Sequence, residues 1–292
     1  MRRGMTSDLR LGYACLSGDT PVKAQERNNV KISGRGSTPM IFAHGYGCDQ
    51  HMWRLVAPAF ESDYRVVLFD HVGAGKSNLS AYNRNKYGSL DGYADDLLEI
   101  CAEHSLRNGI FVGHSVSAII GILAAVKEPA RFSALVLVGP SPHYLNDGAY
   151  LGGFESADIE GLLDFLDSNH LGWSAQMAPV IMGNPDRPEL AAELENSFCR
   201  TDPEIARHFA RVTFRSDNRN DLANVRTPTL ILQCSEDAIA QTHVGEFVHH
   251  SIPNSHLTHL KATGHCPQLS APAETIDAIR KGLQTMRVTQ HP

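Results

Sequence analysis

Apolar residues occur in five short runs that are continuous along the chain and do not alternate with polar positions. The runs are "MIFAHG" (40–45), "YRVVLFD" (64–70), "GIFVGHS" (109–115), "FSALVLVG" (132–139) and "PTLILQC" (228–234). Continuous apolar runs of this length are typical of strands buried on both faces of a parallel sheet. The segments "SLDGYADDLLEICAEHS" and "SAIIGILAAVKEPARF" between them carry apolar residues at helical spacing. This order predicts a doubly wound α/β sheet.

The alternation stops after the fourth run, and residues 141–217 contain no strand pattern. Apolar residues recur there at helical spacing, and two further helices are predicted to begin at "PEL" and "PEI". We therefore predict a helical lid over residues 141–217, above the carboxyl edge of the sheet, where such folds bind ligands. The core domain is predicted to comprise residues 29–140 and 218–292, with residues 1–28 as a disordered extension.

Composition narrows the class of protein. Hydrophobic residues make up 42% of the chain, and the net charge of −6 is spread without blocks, which argues against nucleic-acid or membrane partners. No apolar run approaches the roughly 18–20 residues that span a bilayer, and no apolar segment typical of a signal peptide follows the N-terminal arginines. The six scattered cysteines predict reduced thiols in the cytoplasm, and no spacing predicts a metal site or another cofactor.

Ser115 lies where a buried strand meets an apolar helix. The surrounding Gly-His-Ser-Val-Ser resembles the G-x-S-x-G elbow, in which small flanking residues let the strand and the helix approach closely. Ser117 occupies the last position, so the strict pattern is not met. The alternative is that Ser115 only caps the helix; its position after a strand of the βα repeat favours a nucleophile.

A serine hydroxyl needs a base, and the base must itself be oriented. In hydrolases of this topology the acid and the histidine follow the serine on loops after later strands. Asp237 and His265 satisfy that order, and Glu236 is the competing acid. We expect His114 to pack beneath the elbow, because neighbours on a tight bend diverge.

Acyl transfer passes through an oxyanion, which is stabilised by preorganised N–H donors. The backbone N–H of Val116, directly after the serine, is one predicted donor. The glycine-flanked Tyr46, after the first apolar run, supplies the other.

With these residues in view, the chain resembles the α/β-hydrolase branch of the bacterial energy-stress regulator RsbQ and the plant karrikin and strigolactone receptors. The matching segments include "HGYGCDQHMW", "GHSVSA", "GPSPHYLND", "YLGGF" and "GHCPQLSAP". The resemblance implies an α/β-hydrolase fold, a mostly parallel doubly wound sheet with a four-helix lid inserted after the sixth strand. It also implies that Ser115, His265 and Asp237 form the catalytic triad.

The same resemblance implies a mostly apolar pocket under the lid. Its predicted lining is Tyr46, Phe154, Leu162, Trp173 and Met177. The plant receptors tend to carry Phe where Tyr46 and Met177 stand, so their ligands do not transfer directly. An apolar cavity with one reactive polar cluster suits a small lipophilic ester or lactone.

Two hypotheses follow. The first is a serine hydrolase that acts on such an ester or lactone through an acyl-Ser115 intermediate, in a signalling role like that of RsbQ, as the resemblance implies. The second is a signalling module that hydrolyses its ligand slowly or once and engages a PAS-domain phosphatase or other protein, as the resemblance to RsbQ implies. A carbon–carbon bond hydrolase also uses serine, whereas a haloalkane dehalogenase or epoxide hydrolase requires a carboxylate where Ser115 stands.

Overall fold

A computed structural model describes residues 22–286, which form a seven-stranded sheet with helices on both faces. The strands are β1 (Lys31–Ser33), β2 (Pro39–Ala43), β3 (Arg65–Leu68), β4 (Gly109–His114), β5 (Phe132–Val138), β6 (Thr229–Glu236) and β7 (Ser255–Thr263). Their order across the sheet is β1-β3-β2-β4-β5-β6-β7, with β1 antiparallel and all other neighbours parallel. The predicted mostly parallel, doubly wound sheet is confirmed.

All five apolar runs form strands, β2 to β6, in the interior of the sheet. The two additional strands lie at the edges, where one side of the strand has no neighbour and much of the surface stays exposed. Because edge strands need no continuous apolar run, the hydrophobic pattern did not reveal them. Five strands of the described residues precede the lid, so the expected insertion after a sixth strand is corrected to one after β5.

Helices cover both faces of the sheet. They are α1 (Ala24–Arg27), α2 (Leu90–Glu103), α3 (Val116–Lys127), α4 (Ser156–Ser168), α5 (His170–Met182), α6 (Pro188–Arg200), α7 (Pro203–Phe214), α8 (Arg219–Leu222), α9 (Thr242–Ser251), α10 (Pro267–Ser270) and α11 (Pro272–Thr285). Five short 3₁₀ helices lie in the connections of the described chain: Gln50–Trp53, Ala57–Phe60, Leu79–Ala81, Lys86–Gly88 and Pro129–Arg131. No helix among residues 22–286 is both long and apolar enough to cross a membrane.

Helices α4 to α7 lie between β5 and β6 and form the lid. Both α6 and α7 begin at a proline, as the sequence predicted, and the Asp202 carboxylate caps α7 by accepting the N–H groups of Glu204 and Ile205. Proline suits this position because the first helical N–H has no intrahelical partner. The apolar faces of the lid helices join both hydrophobic clusters of the core, since Phe214 of α7 packs in one and Phe209 in the other. The lid also contacts the loops that follow β2 and β7, at the carboxyl edge of the sheet.

The expectation of disorder up to residue 28 is wrong for its last residues. Residues 24–27 form α1, and the side chain of Asn28 is fully buried and donates to the carbonyl of Asp70 at 3.0 Å. Arg27 pairs with the buried carboxylate of Asp96 at 3.0 Å. This segment is held to the core by polar side chains. A search for apolar residues along the sequence does not detect such contacts. Residues 1–21 lie outside the described part of the chain.

Candidate active site

Ser115 sits on a strained turn between β4 and α3. Its φ of 56° and ψ of −122° are rare for a residue with a side chain. The turn is fixed because the N–H of Ser115 donates to the carbonyl of Val138 at 2.8 Å. At Gly113 a Cβ would lie 2.6 Å from the carbonyl oxygen of Ser117, so only glycine lets the strand and helix approach this closely.

The structure brings Ser115, His265 and Asp237 together in one hydrogen-bonded chain. The Oγ–H of Ser115 donates to Nε2 of His265 at 2.7 Å. The Nδ1–H of His265 donates to Oδ2 of Asp237, also at 2.7 Å. All three side chains are buried, and they come from the loops that follow β4, β6 and β7.

Asp237 is held as an ionised acceptor. Its second oxygen, Oδ1, accepts the backbone N–H groups of Ile239 and Ala240 at 2.8 and 3.0 Å. Burial alone would raise the pKa of this carboxyl, but His265 and the hydrogen bonds outweigh burial and lower the pKa. The competing acid, Glu236, has an exposed side chain, and only its backbone carbonyl meets this loop, accepting the N–H of Gly264.

His114 packs beneath the elbow, as its position in the turn predicted. Its ring centroid lies 4.9 Å from that of His265, and its Nε2–H donates to the backbone carbonyl of His265 at 2.7 Å. Burial, and then the neighbouring His265, lower the pKa of His114 to about 3. A neutral ring with its one proton committed to a carbonyl supports the His265 loop.

The 45–48 loop, which follows β2, lies directly against the elbow. A Cβ on Gly45 would lie 2.6 Å from Nδ1 of His114 and 3.4 Å from Cβ of Ser115. Among residues 22–286, no protein acceptor pairs with the N–H of Tyr46 or with that of Val116, the first residue of α3. These are the two donors that the sequence predicted for an oxyanion.

A buried network holds the start of this loop in place. Ser117 donates its Oγ–H to the carbonyl of His44 at 2.5 Å. It accepts a hydrogen bond from Nε2 of His71 at 2.7 Å, and the N–H of His71 donates to Nε2 of His44. Ser117 stands where the strict elbow motif has glycine. Its hydroxyl adds a hydrogen bond to His44, directly after β2, and so holds the start of the 45–48 loop.

A narrow, mostly apolar cavity of about 40 Å³ lies over Ser115, between the sheet and the lid. Its lining is Tyr46, Cys48, His114, Ser115, Tyr144, Trp173, Met177, Ile181, Leu194, Phe198, Thr213, Phe214, Ile239, His265 and Cys266. Tyr46, Trp173 and Met177 were expected there. The volume is well below the 300–1,000 Å³ typical of ligand pockets, so the lid or its side chains must move to admit a substrate.

Phe154 and Leu162 are corrections, because neither lines this cavity. The backbone of Phe154 pairs with the segment after β5, and Tyr144 in that segment is the aromatic residue that reaches the cavity. Leu162 is half-buried on α4, which buries Leu163 and Leu166 instead. Leu162 and Leu163 are adjacent, so the apolar pattern of α4 does not determine which of the two faces the core. A small rotation of the helix about its axis exchanges them.

Tyr144 is the main residue that sequence reasoning missed. It is 2% exposed and lines the cavity together with Ser115. Burial is the largest cause that raises the pKa of this phenol, so the hydroxyl stays protonated. The available signal was its position shortly after the carboxyl end of β5, at the edge where ligands bind in such sheets.

Residues 22–286 contain no group of three or more His, Cys, Asp or Glu side chains arranged to hold a metal ion. Cys48 and Cys266 are free, buried cysteines in the cavity wall. Burial raises the pKa of both thiols. Such thiols pack as small apolar side chains at neutral pH.

Comparison with known proteins agrees with this fold. The model of the α/β hydrolase family matches residues 40–278, so the chain belongs to that family. It is 40% identical over 259 residues to strigolactone esterase D14 of Arabidopsis thaliana, covering 88% of this chain and 97% of that protein. It is 37% identical over 256 residues to karrikin insensitive 2 receptor CA of Petunia hybrida, covering 87% and 95% of the two chains.

Among solved structures, a hydrolase from Oleispira antarctica superposes with a TM-score of 0.87 at 40% identity. The alignment covers 89% of this chain and 96% of that one. The relatives are named esterases, hydrolases and receptors, and the chain is an α/β hydrolase.

Proposed function

We propose that this protein is a serine hydrolase of small hydrophobic esters or lactones, with Ser115 as nucleophile, His265 as base and Asp237 as the orienting acid. One observation carries the proposal: the two 2.7 Å hydrogen bonds that link the strained Ser115, His265 and Asp237. A helix cap needs no buried histidine on its hydroxyl, whereas a nucleophile does.

In the proposed acylation step, Oγ of Ser115 attacks the carbonyl carbon of the ester while Nε2 of His265 takes the hydroxyl proton. The tetrahedral oxyanion accepts hydrogen bonds from the N–H groups of Tyr46 and Val116. Collapse of this intermediate breaks the bond to the alcohol, and the imidazolium of His265 donates the proton to that oxygen. The product is an acyl-Ser115 and a free alcohol, or an attached one for a lactone.

Deacylation repeats the sequence with water. His265 takes a proton from water, hydroxide attacks the acyl carbon, and the proton then returns to Oγ of Ser115 as the acid leaves. Throughout both steps Asp237 accepts the Nδ1–H of His265, so that Nε2 is the nitrogen free to accept.

The cavity lining supports the substrate class. Apart from the reactive groups, the walls are mostly aromatic and aliphatic, with Thr213 as an uncharged polar residue among them. Within the described part of the chain, no Asp, Glu, Lys or Arg side chain lines this cavity. Binding an apolar acyl or alcohol group in this cavity is therefore favourable, because apolar surface is removed from water. Binding a charged group is unfavourable, because the charge loses its water and finds no partner of opposite charge. We propose an uncharged lipophilic ester or lactone.

A second function, signalling through the ligand-bound lid, is favoured by the relatives. Two of them are named an esterase of strigolactone and a karrikin insensitive receptor. In this second proposal, the protein hydrolyses its ligand slowly in the cytoplasm and then binds a PAS-domain phosphatase or another protein partner. The resemblance of the sequence to RsbQ implies this form. Turnover of the order of 10 s⁻¹ on a metabolite favours metabolism, and turnover over minutes favours sensing.

The test uses p-nitrophenyl acetate and a serine-directed organophosphate. Ser115→Ala should abolish turnover and covalent labelling while the melting temperature changes little, because only a hydroxyl is removed. Ser133→Ala is the matched control, because this serine of β5 donates its hydroxyl to the carbonyl of Gly109 at 3.2 Å, away from the site. It should keep both turnover and labelling at Ser115. Turnover retained by Ser115→Ala would exclude the serine mechanism.

A further inference from the structure

Two side-chain hydrogen bonds tie the 45–48 loop to the second half of the lid. The hydroxyl of Tyr46 donates to the backbone carbonyl of Ala206 in α7 at 3.0 Å. The Oγ–H of Ser197 in α6 donates to the carbonyl of Gly47 at 2.9 Å. The ring of Phe198 also covers Gly47, where a Cβ would lie 2.2 Å from Cδ1 of that ring.

The Tyr46 ring lies at the centre of an aromatic cluster contributed by the lid. Its centroid is 6.0 Å from Trp173 of α5, 6.3 Å from Phe198 of α6, and 5.7 and 6.1 Å from Phe209 and Phe214 of α7. Burial raises the pKa of the Tyr46 phenol, which keeps the hydroxyl a donor at neutral pH. The lid therefore adds an aromatic cluster and two hydrogen bonds to the contacts that the elbow makes with the loop carrying a proposed oxyanion donor.

The first half of the lid is anchored elsewhere. The C-terminal end of α5 accepts the N–H of His265 through the carbonyl of Ile181 at 2.8 Å. Just beyond, the amide of Asn184 donates to the carbonyl of Thr263 at 3.1 Å. This end of the lid is thus fixed to β7 and to the loop of the proposed base by one backbone hydrogen bond and one side-chain amide, whereas α6 and α7 reach the 45–48 loop through side chains.

We propose that the Tyr46 hydroxyl and Ser197 are positioning groups that couple lid closure to the oxyanion donor. The inference rests on the proposed function. When α6 and α7 lie as they do here, the two ties hold the N–H of Tyr46 beside Ser115. When the lid moves to admit a substrate, the loop moves with it, and oxyanion stabilisation returns only after the lid closes. A substrate that holds the lid open is bound but turned over slowly.

The test compares Tyr46→Phe, Ser197→Ala and the double variant with Tyr82→Phe. Tyr82 is the matched control because its hydroxyl also bonds α7, at Nδ1 of His208, but it lies outside the 45–48 loop. With p-nitrophenyl acetate, we expect Tyr46→Phe to lower kcat about three- to tenfold, the effect of one lost hydrogen bond, with KM changed less than twofold. Tyr82→Phe should keep the wild-type kcat. The two tie variants should be non-additive, because both ties restrain one loop.

Amide hydrogen exchange supplies a readout that does not depend on activity. Tyr46→Phe should speed exchange in peptides covering both α7 and the 45–48 loop, whereas Tyr82→Phe should speed it in α7 alone. Equal kcat in Tyr46→Phe and wild type, an equal loss in Tyr82→Phe, or unchanged exchange in the loop would overturn the coupling. Failure of the proposed function looks different: the wild type itself would show no turnover that Ser115→Ala removes, and the exchange data would still decide the coupling.

Discussion

Gly45 packs directly on the imidazole of His114, with no space between them for a methyl group. A Cβ at Gly45 would lie 2.6 Å from Nδ1 and 3.0 Å from Cε1 of that ring. The ring is fixed in turn, because its other nitrogen donates to the carbonyl of His265. The loop with one proposed oxyanion donor and the loop with the proposed base are therefore packed against the same neutral histidine.

Gly45→Ala should displace the 45–48 loop and lower kcat about 100-fold, the usual effect of losing one oxyanion donor. Overpacking should also cost about 1–3 kcal/mol of stability. Steady-state kinetics and thermal unfolding measure both effects. The matched control is Gly161→Ala, since a Cβ at Gly161 in α4 meets no atom within 4 Å. It should gain up to about 1 kcal/mol and keep its kcat; a similar loss in both variants would argue against the role given to Gly45.

Asp237→Asn should lower kcat about 10⁴-fold with little change in KM. An amide group facing His265 can donate to Nδ1, which moves the ring proton to Nε2 and leaves no acceptor for the hydroxyl of Ser115. The neighbouring carboxylate supplies the control: Glu236→Gln should stay within twofold of wild type, because its side chain is exposed. Loss of activity in Glu236→Gln with activity retained in Asp237→Asn would reverse the assignment of the acid.

The central strands and the serine, acid and histidine loops were predictable from the sequence for a physical reason. Buried parallel strands need continuous apolar runs, and Ser115 and Asp237 directly follow the carboxyl ends of two such strands. His265 follows the edge strand β7, and its place in the chain order after the acid is what identified it. The edge strands need no continuous apolar run. They remained hidden, and so did the number of strands before the lid.

Pocket residues were less predictable, because a helix can rotate by one position without changing its amphipathic pattern. The choice between Leu162 and Leu163 on α4 is decided by packing against neighbouring helices, which the local sequence does not encode. Tyr144 escaped notice because its partners come from distant segments. The contacts of Arg27 with Asp96 and of Asn28 with Asp70 were missed for the same reason.

Stability should fall with acid between about pH 6.5 and 4.5 because of buried histidines. Burial is the largest cause that lowers the pKa of five histidines: His44, His71, His170, His208 and His114, the last to about 3. Below pH 6.5 these histidines are protonated in the unfolded chain but stay neutral in the folded protein. The unfolded state therefore binds more protons, and the free energy of unfolding rises with pH in this window. The carboxyls whose pKa is lowered, Glu99, Asp217 and Asp237, add to this loss as the pH falls towards their ordinary pKa of 4.5 for Glu and 3.8 for Asp, so they act mainly at the acid end of the window and below it.

The slope should correspond to an uptake of up to five protons on unfolding, one for each of these histidines, at about 1.4 kcal/mol per pH unit for each. Urea unfolding at half-unit pH steps, at constant ionic strength, measures it directly. Stability that is flat between pH 6.5 and 4.5 would show that these rings are protonated in the folded state.

Asp96→Ala should destabilise the fold by about 1–3 kcal/mol, because it leaves the buried hydroxyl of Tyr87 without its acceptor and removes one of the two carboxylates that pair with Arg27 and Lys86. The Asp96 side chain is fully buried and lies 3.0 Å from Arg27 and 2.6 Å from Lys86. Asp277→Ala is the matched control: its 2.6 Å pair with Lys281 is exposed on one helix face and is worth at most about 0.5 kcal/mol. Chemical unfolding of both variants measures the difference. Equal losses would mean that Arg27 and α1 contribute no more to the fold than a surface pair does, and the corrected N-terminal boundary of the core would then have no energetic basis.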